Sequence, residues 1–332
     1  MLTAFARDAD MLVPFDTASP DFAVQAPAIL WVDILRPDRS DADRAASLFG
    51  VSIPTLEEMK EIEPSARLFE EDGAQFMTAT IVSALDSDAP LLSPITFILK
   101  GAVLLTVRHT DSLPFDTVRN RRLRTNGATS AETIMLSIVE AIVDRIADAL
   151  ERIAGQCDAV SREVFAAKAA NSKSAQASTD RDLEATLGRI GREGDLLTKL
   201  RESLVGLTRL LSYHSAREAK PSRTSREPRQ LVKTLQRDLQ SLTDHASFLS
   251  SKINFLLDAT LGLINLEQNQ IIKIFTVAAV AFLPPTLIAS IYGMNFNELP
   301  ELHWRYGYPF AIGLMLLSAA LPFLYFRKRG WL

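Results

Sequence analysis

Three patterns of apolar and polar residues follow one another along the chain. As far as about Asn126 the apolar runs are short: Ile29 to Leu35 and Ala74 to Leu85 are strand-like, and Ser93 to Leu99 with Val103 to Arg108, joined across Lys100-Gly101, predict a hairpin. Ser40 to Phe49 and Thr55 to Ile62 have helical spacing, so this part is expected to be a compact α/β unit. From Ser130 to Ala170 the period is helical throughout, with Ile134, Ile138, Ile142, Ile146 and Leu150 on one face and Thr129 with Glu132 as a capping box. Ala166 to Thr179 predicts a turn, Asp180 to about Ser212 a second helix, and His214 to Pro228 a polar connection containing Pro221. From Pro228 to Tyr292 only Gly262 and the pair Pro284-Pro285 interrupt helix. One helix of about 65 residues would run roughly 95 Å, about a third of it in a membrane and the rest a stalk.

The third pattern is apolar and uncharged. No charged residue falls between Ile274 and Asn297 or between Tyr306 and Phe326, and each run is long enough to cross the roughly 30 Å hydrocarbon core. The residues between them, Glu298 to Arg305, make a short loop with two carboxylates and one aromatic anchor, Trp304. The first run has a stripe of polar and small residues at steps of three and four: Asn269, Ile272, Thr276, Ala279, Leu283, Thr286, Ser290 and Gly293. The opposite positions, Ile274, Val277, Val280, Pro284, Leu287 and Ile291, are more apolar. Such a stripe serves either close helix packing or a pore, and a pore needs several copies around an axis.

Charge sets the topology. Arg327, Lys328 and Arg329 follow the second run, Lys252 and Lys273 precede the first, and the loop holds only Arg305, which places both termini in the cytoplasm and the loop outside. The first residues lack the features of a secretory signal, in keeping with a cytoplasmic N-terminal region. The expected domains are 1–128, α/β; 129–270, helical region and stalk; and 271–332, a hairpin with spans at about 271–292 and 307–326 around a periplasmic loop at about 293–306. Net charge of −4 leaves no basic footprint for nucleic acid, and the single Cys157 excludes a cysteine-rich metal site. The four histidines show no metal-ligand spacing and there is no phosphate-cradling glycine loop, so an enzyme is not expected.

The flanks of the loop carry a resemblance. Pro284, Tyr292-Gly293-Met294-Asn295-Phe296, Pro300-Glu301-Leu302, Gly307-Tyr308-Pro309 and the basic end Arg327 to Leu332 resemble the CorA family of divalent-cation channels, in its proteobacterial branch. Roughly the last 75 residues match at motif level, and the order of soluble elements fits along the rest. Leu299 departs from the family's usual Met. The resemblance implies a homopentamer in the bacterial inner membrane, a stalk helix continuous with the pore-lining span, and uptake of Mg²⁺, with Co²⁺ and Ni²⁺ as secondary ions. A ring of Asn295 amide oxygens backed by Gly293 carbonyls would accept hydrogen bonds from the water shell of Mg²⁺, an ion that sheds its waters reluctantly. Gly293 would let the helix end without a side chain in the opening, and Met294 would pack the mouth.

Leu283 and Ile272 are implied as an apolar gate that closes by dewetting, with Phe275 a rival for the narrowest point. Glu298 and Glu301 either concentrate cations at the outer mouth or are only solvated, and Asp258 is either an inner cation ring or one acid on a wet stalk face. An inward potential drives a divalent ion with about 4.6 kcal/mol per 100 mV, so the pore needs a sensor. The resemblance implies cytoplasmic Mg²⁺ held by acidic residues between subunits, for which Asp86, Asp88, Asp158 and Asp238 are the nearest candidates. Ala154-Gly155 stands where relatives tend to be acidic. Two alternatives remain: a zinc-transporting relative of the same fold, and a membrane-anchored sensor or scaffold that conducts nothing.

Overall fold

The computed structural model describes residues 1–8, 11–15, 28–87, 89–122, 130–169, 176–217, 226–294 and 304–330. Its described strands are β1 (Leu2–Asp8), β2 (Met11–Phe15), β3 (Ile29–Leu35), β4 (Leu68–Glu71), β5 (Ala74–Ser83), β6 (Leu91–Lys100) and β7 (Val103–Arg108), and they form one sheet in the order β2-β1-β3-β7-β6-β5-β4. The hairpin across Lys100-Gly101 is present, with Lys100 opposite Val103 and Gly101 at φ 60°. β3 runs parallel to β7, so the chain crosses over between them. Side chains along β5 are buried almost without break, the mark of a strand covered on both faces.

One face is covered by α1 (Arg39–Phe49) and the short α2 (Leu56–Met59) and α3 (Pro64–Arg67). Asp38 caps α1 by accepting from the Asp41 N–H, and Gly50, left-handed at φ 63°, ends it. Ala45, Val51 and Met59 join Val32, Ile34, Ile98 and Leu105 in this core. The other core holds Trp31, Phe97 and Phe115, with Phe115, on α4 (Leu113–Arg122), 6.4 Å in ring-centroid distance from each of the other two. Beside it, Asp33 and Arg108 form a buried ion pair at 2.8 Å, which Thr106 completes by donating to Asp33 Oδ1.

α5 (Ala131–Ala169) contacts β3, β6 and β7 and is capped by Ser130, whose Oγ accepts from the Thr133 N–H. The cap is thus one residue later than the expected Thr129; Thr129 itself lies outside the described residues, and Glu132 is turned to another partner. α6 (Gln176–Arg217) lies directly on β5, since a Cβ at Gly206 would meet the Thr80 backbone at 3.5 Å. α7 (Arg226–Tyr292) is one helix of 67 residues and α8 (Gly307–Lys328) one of 22.

The chain divides into two compact units. The first comprises Met1–Asn171 and Ala185–Leu256, so the sheet and most of the helical region belong together; the second comprises Ser172–Glu184 and Leu257–Leu332. Sequence pattern misses β1, β2, β4, α3 and α4, and overestimates α2. Of the turn expected at Ala166 to Thr179, the residues to Ala169 and from Gln176 are helical, and 170–175 lie outside the described residues. The polar connection narrows too, because α6 continues through His214 to Arg217.

Candidate ion pathway and acidic residues of the first unit

Among the described residues two helices, α7 and α8, are long and apolar enough to cross a membrane. Every residue of the expected stripe on α7, from Asn269 through Ile272, Thr276, Ala279, Leu283, Thr286 and Ser290 to Gly293, is exposed, and so is the rival gate residue Phe275. The positions that the chain itself covers are Val277, Ala278, Ala281, Pro284, Pro285, Ile288 and Tyr292. At about 100° per residue they lie roughly half a turn from the stripe, so the polar side of α7 is the side left open. Of the expected opposite positions only Val277 and Pro284 are on the covered face; Ile274, Val280, Leu287 and Ile291 are exposed.

The hydroxyls of Thr276 and Thr286 donate to the carbonyls of Ile272 and Phe282, each at 2.8 Å, and Asn269 Nδ2 donates to the Asn265 carbonyl at 2.9 Å. Such bonds satisfy a polar group within its own helix. They also use up donor hydrogens and leave oxygen lone pairs facing away from the backbone, which makes the stripe a row of acceptors suited to the outward hydrogens of a hydrated cation. Pro284 and Pro285 cannot donate back to the carbonyls of Val280 and Ala281, which frees two more backbone oxygens.

At the end of α7, Gly293 donates to the Ala289 carbonyl at 2.9 Å and Met294 to the Ile291 carbonyl at 3.3 Å. Gly293 does not adopt the left-handed conformation expected of a terminating glycine. Its constraint is space: a Cβ there would stand 3.1 Å from the Ala289 carbonyl oxygen. Met294 is half exposed. Asn295, Glu298 and Glu301 lie outside the described residues. Trp304 contacts Tyr306 and Phe310 at one end of α8, and Tyr325 contacts Phe326 and lies under Arg329 at the other. The 19 helical steps from Tyr306 to Tyr325 rise about 28 Å, close to the thickness of the hydrocarbon core.

Asp258 is exposed on α7, in line with the stripe. Of the acidic candidates in the first unit, Asp86 is held by Arg145 at 2.6 Å, with Arg152 at 3.9 Å. Asp158 accepts from Lys252 Nζ at 2.6 Å, and that hydrogen bond holds its carboxyl below the usual carboxylate range. Asp88 lies outside the described residues. Asp238, exposed on α7, approaches an acid that the sequence did not single out: Asp144 has its pKa raised, first by burial and then by the charges of Asp148 and Asp238. Nothing in the sequence pairs α5 with α7 in this register, so only packing reveals the cluster. Among the described residues no three carboxylates, histidines or cysteines come close enough to hold a metal. At Gly155 a Cβ would meet nothing within 4 Å.

Sequence pattern also misplaces His214, which the structure buries in the last turn of α6 with Nε2 3.0 Å from Glu132 Oε1.

A family model described as CorA-like Mg²⁺ transporter protein matches residues 27–328. The chain is 34% identical over 334 residues to the magnesium transport protein CorA of Yersinia pseudotuberculosis and 33% identical over 333 residues to that of Escherichia coli K12, with the whole of each chain covered. Its fold is that of the complete CorA magnesium transporter from Methanocaldococcus jannaschii, at a TM-score of 0.75 and 19% identity over 100% of this chain and 99% of that one. The full-length CmaX protein is also similar, at a TM-score of 0.64 and 15% identity over 99% and 97%.

Proposed function

The chain belongs to the family of CorA-like Mg²⁺ transporter proteins, and from that premise we propose that it is a channel for Mg²⁺ in the bacterial inner membrane. The reading follows its full-length relatives, which are named magnesium transport proteins. The observation that carries it is the open acceptor stripe on α7, opposite the face that the chain covers. Five copies with their stripes turned to one axis would line a pore with hydroxyl and amide oxygens at the levels of Asn269, Thr276 and Thr286 and with apolar rings at Ile272 and Leu283. Asn295 would stand at the outer mouth as a neutral oxygen ring, with Glu298 and Glu301 around it.

Ions would enter down the membrane potential, with both termini and the first unit in the cytoplasm. Co²⁺ and Ni²⁺ would follow the same path. Cytoplasmic Mg²⁺ would close the pore by bridging acidic residues between neighbouring chains. Asp238 with Asp144 and Asp148 is better suited to that role than Asp86 or Asp158, whose charges are already met by Arg145 and Lys252.

Flux of each ion into reconstituted vesicles, with an inside-negative potential imposed, tests the reading. Wild-type protein should admit Mg²⁺, and Asn295→Ala should abolish uptake while oligomer size is kept. Full uptake by Asn295→Ala would remove the selectivity ring; Zn²⁺ uptake without Mg²⁺ would make this a zinc-transporting relative; no flux of any ion would leave a non-conducting sensor or scaffold.

A further inference from the structure

Where the β4–β5 and β6–β7 turns meet the start of α5 and the end of α6, the first unit holds a cavity of about 230 Å³, lined by Gln75, Glu132, His214 and Arg217 beside the turn glycines Gly73 and Gly101. Two buried atoms on these side chains, His214 Nδ1 and Gln75 Oε1, have no hydrogen-bond partner among the described residues. His214 is only 3% exposed, and an idle ring nitrogen at that depth is costly to maintain. Its other nitrogen, Nε2, stands 3.0 Å from Glu132 Oε1. A carboxylate can only accept, so Nε2 carries the hydrogen, and whenever the ring is neutral Nδ1 presents a lone pair.

We propose that this cavity binds a divalent cation of borderline softness, of the class of Co²⁺, Ni²⁺ or Zn²⁺, through His214 Nδ1. A metal-ligating histidine characteristically donates its second N–H to a carboxylate that fixes the tautomer and raises the basicity of the ligand, and Glu132–His214 is such a pair. Gln75 Oε1 supplies a second, neutral oxygen. The C-terminal end of α6 turns negative partial charge towards a cation. Arg217 opposes it, but its guanidinium pairs with Glu70 and lies over the Tyr213 ring. Water completes the coordination, since no third acidic, histidine or cysteine ligand converges there among the described residues. Imidazole selects against Mg²⁺, which prefers oxygen and keeps its waters, so the site discriminates transition ions from the ion proposed for the pore. It does not depend on what the pore carries.

The test is a titration of the full-length protein in detergent micelles with CoCl₂ in excess MgCl₂, which fills the all-oxygen sites, read by the visible ligand-field bands of Co²⁺. One nitrogen-ligated Co²⁺ per chain is expected. Glu132→Gln should weaken it by about 10–100-fold, Gln75→Leu by about tenfold, and His214→Gln should abolish the bands. Binding that is unchanged in His214→Gln, or absent from the wild type, overturns the proposal; a His214→Gln protein that melts earlier yet binds Co²⁺ as before makes the residue structural only. A readout without variants is the nitrogen-15 spectrum of the histidine rings: ZnCl₂ and not MgCl₂ should shift the Nδ1 resonance of one buried ring, and no such shift overturns the proposal equally.

Discussion

At Gly293 the backbone leaves little room for a side chain, because a Cβ would stand a tight 3.1 Å from the Ala289 carbonyl oxygen, which would have to give way by a few tenths of an ångström. Gly293→Ala should therefore fold and assemble but twist the mouth by a few tenths of an ångström. If the ion is recognised through its water shell at that level, a barrier higher by about 1.4 kcal/mol lowers Mg²⁺ flux about tenfold, which vesicle uptake would register. Flux equal to wild type would mean that the glycine serves packing alone. Deeper in the span, Leu283 and Ile272 are 66% and 60% exposed in the single chain, as side chains meeting their own copies around an axis would be. Leu283→Ala or Ile272→Ala should leak Mg²⁺ when internal Mg²⁺ is high, since a wider apolar ring dewets less readily. Basal flux unchanged in both would move the gate to Phe275, which is 71% exposed near the edge of the stripe.

The elements differ in how they couple to charge. Asp158 on α5 is tied to Lys252 on α7, whereas Asp144 on α5 meets the like charges of Asp148 and Asp238. With its folded pKa raised, Asp144 favours the fold while protonated, and that stability is lost as pH climbs from the ordinary carboxylate value through the raised one. Asp144→Asn should flatten this loss, seen as a melting temperature that falls less between pH 4 and pH 7 than that of the wild type. The same variant with Asp238→Asn should blunt closure by Mg²⁺, and Asp158→Asn should not; the reverse order would place the sensor at Asp158. Helical period made α5, α7 and the α7 stripe legible in sequence, and the Lys100-Gly101 turn did the same for β6 and β7. Short edge strands such as β2 and β4 leave too few residues for a period to register. His214 was hidden because polar residues around it read as a linker, while its burial comes from Glu132, 82 positions earlier. The Asp144–Asp238 approach is likewise a product of helix pairing, which no local pattern encodes.

In the whole molecule, the part of α7 that belongs to the first unit leaves Phe248 and Phe255 60% and 58% exposed, large apolar rings that one chain alone does not cover. Neighbouring copies would cover them in the proposed pentamer, and acidic residues such as Asp238 and Asp144 would then face other chains across the same contacts. Carboxylates brought together in this way would repel one another when no cation lay between them, so under the proposed gating the tightly packed and closed assembly would be the Mg²⁺-loaded one, and loss of Mg²⁺ would let the subunits separate. That order would suit the physics of such a pore. A divalent ion gains about 4.6 kcal/mol per 100 mV on entering, more than about a thousandfold in concentration, and a channel that closed when empty and opened when loaded would amplify its own overload. Limited proteolysis of the solubilised protein reads the difference directly. Millimolar Mg²⁺ should protect the part of α7 before Ile271, and a chelator should expose it to cleavage near Phe248 and Phe255. Equal cleavage in both conditions would show that this chain has lost ligand gating, an outcome to which Ala154-Gly155, standing where the sequence resemblance expects acids, already points.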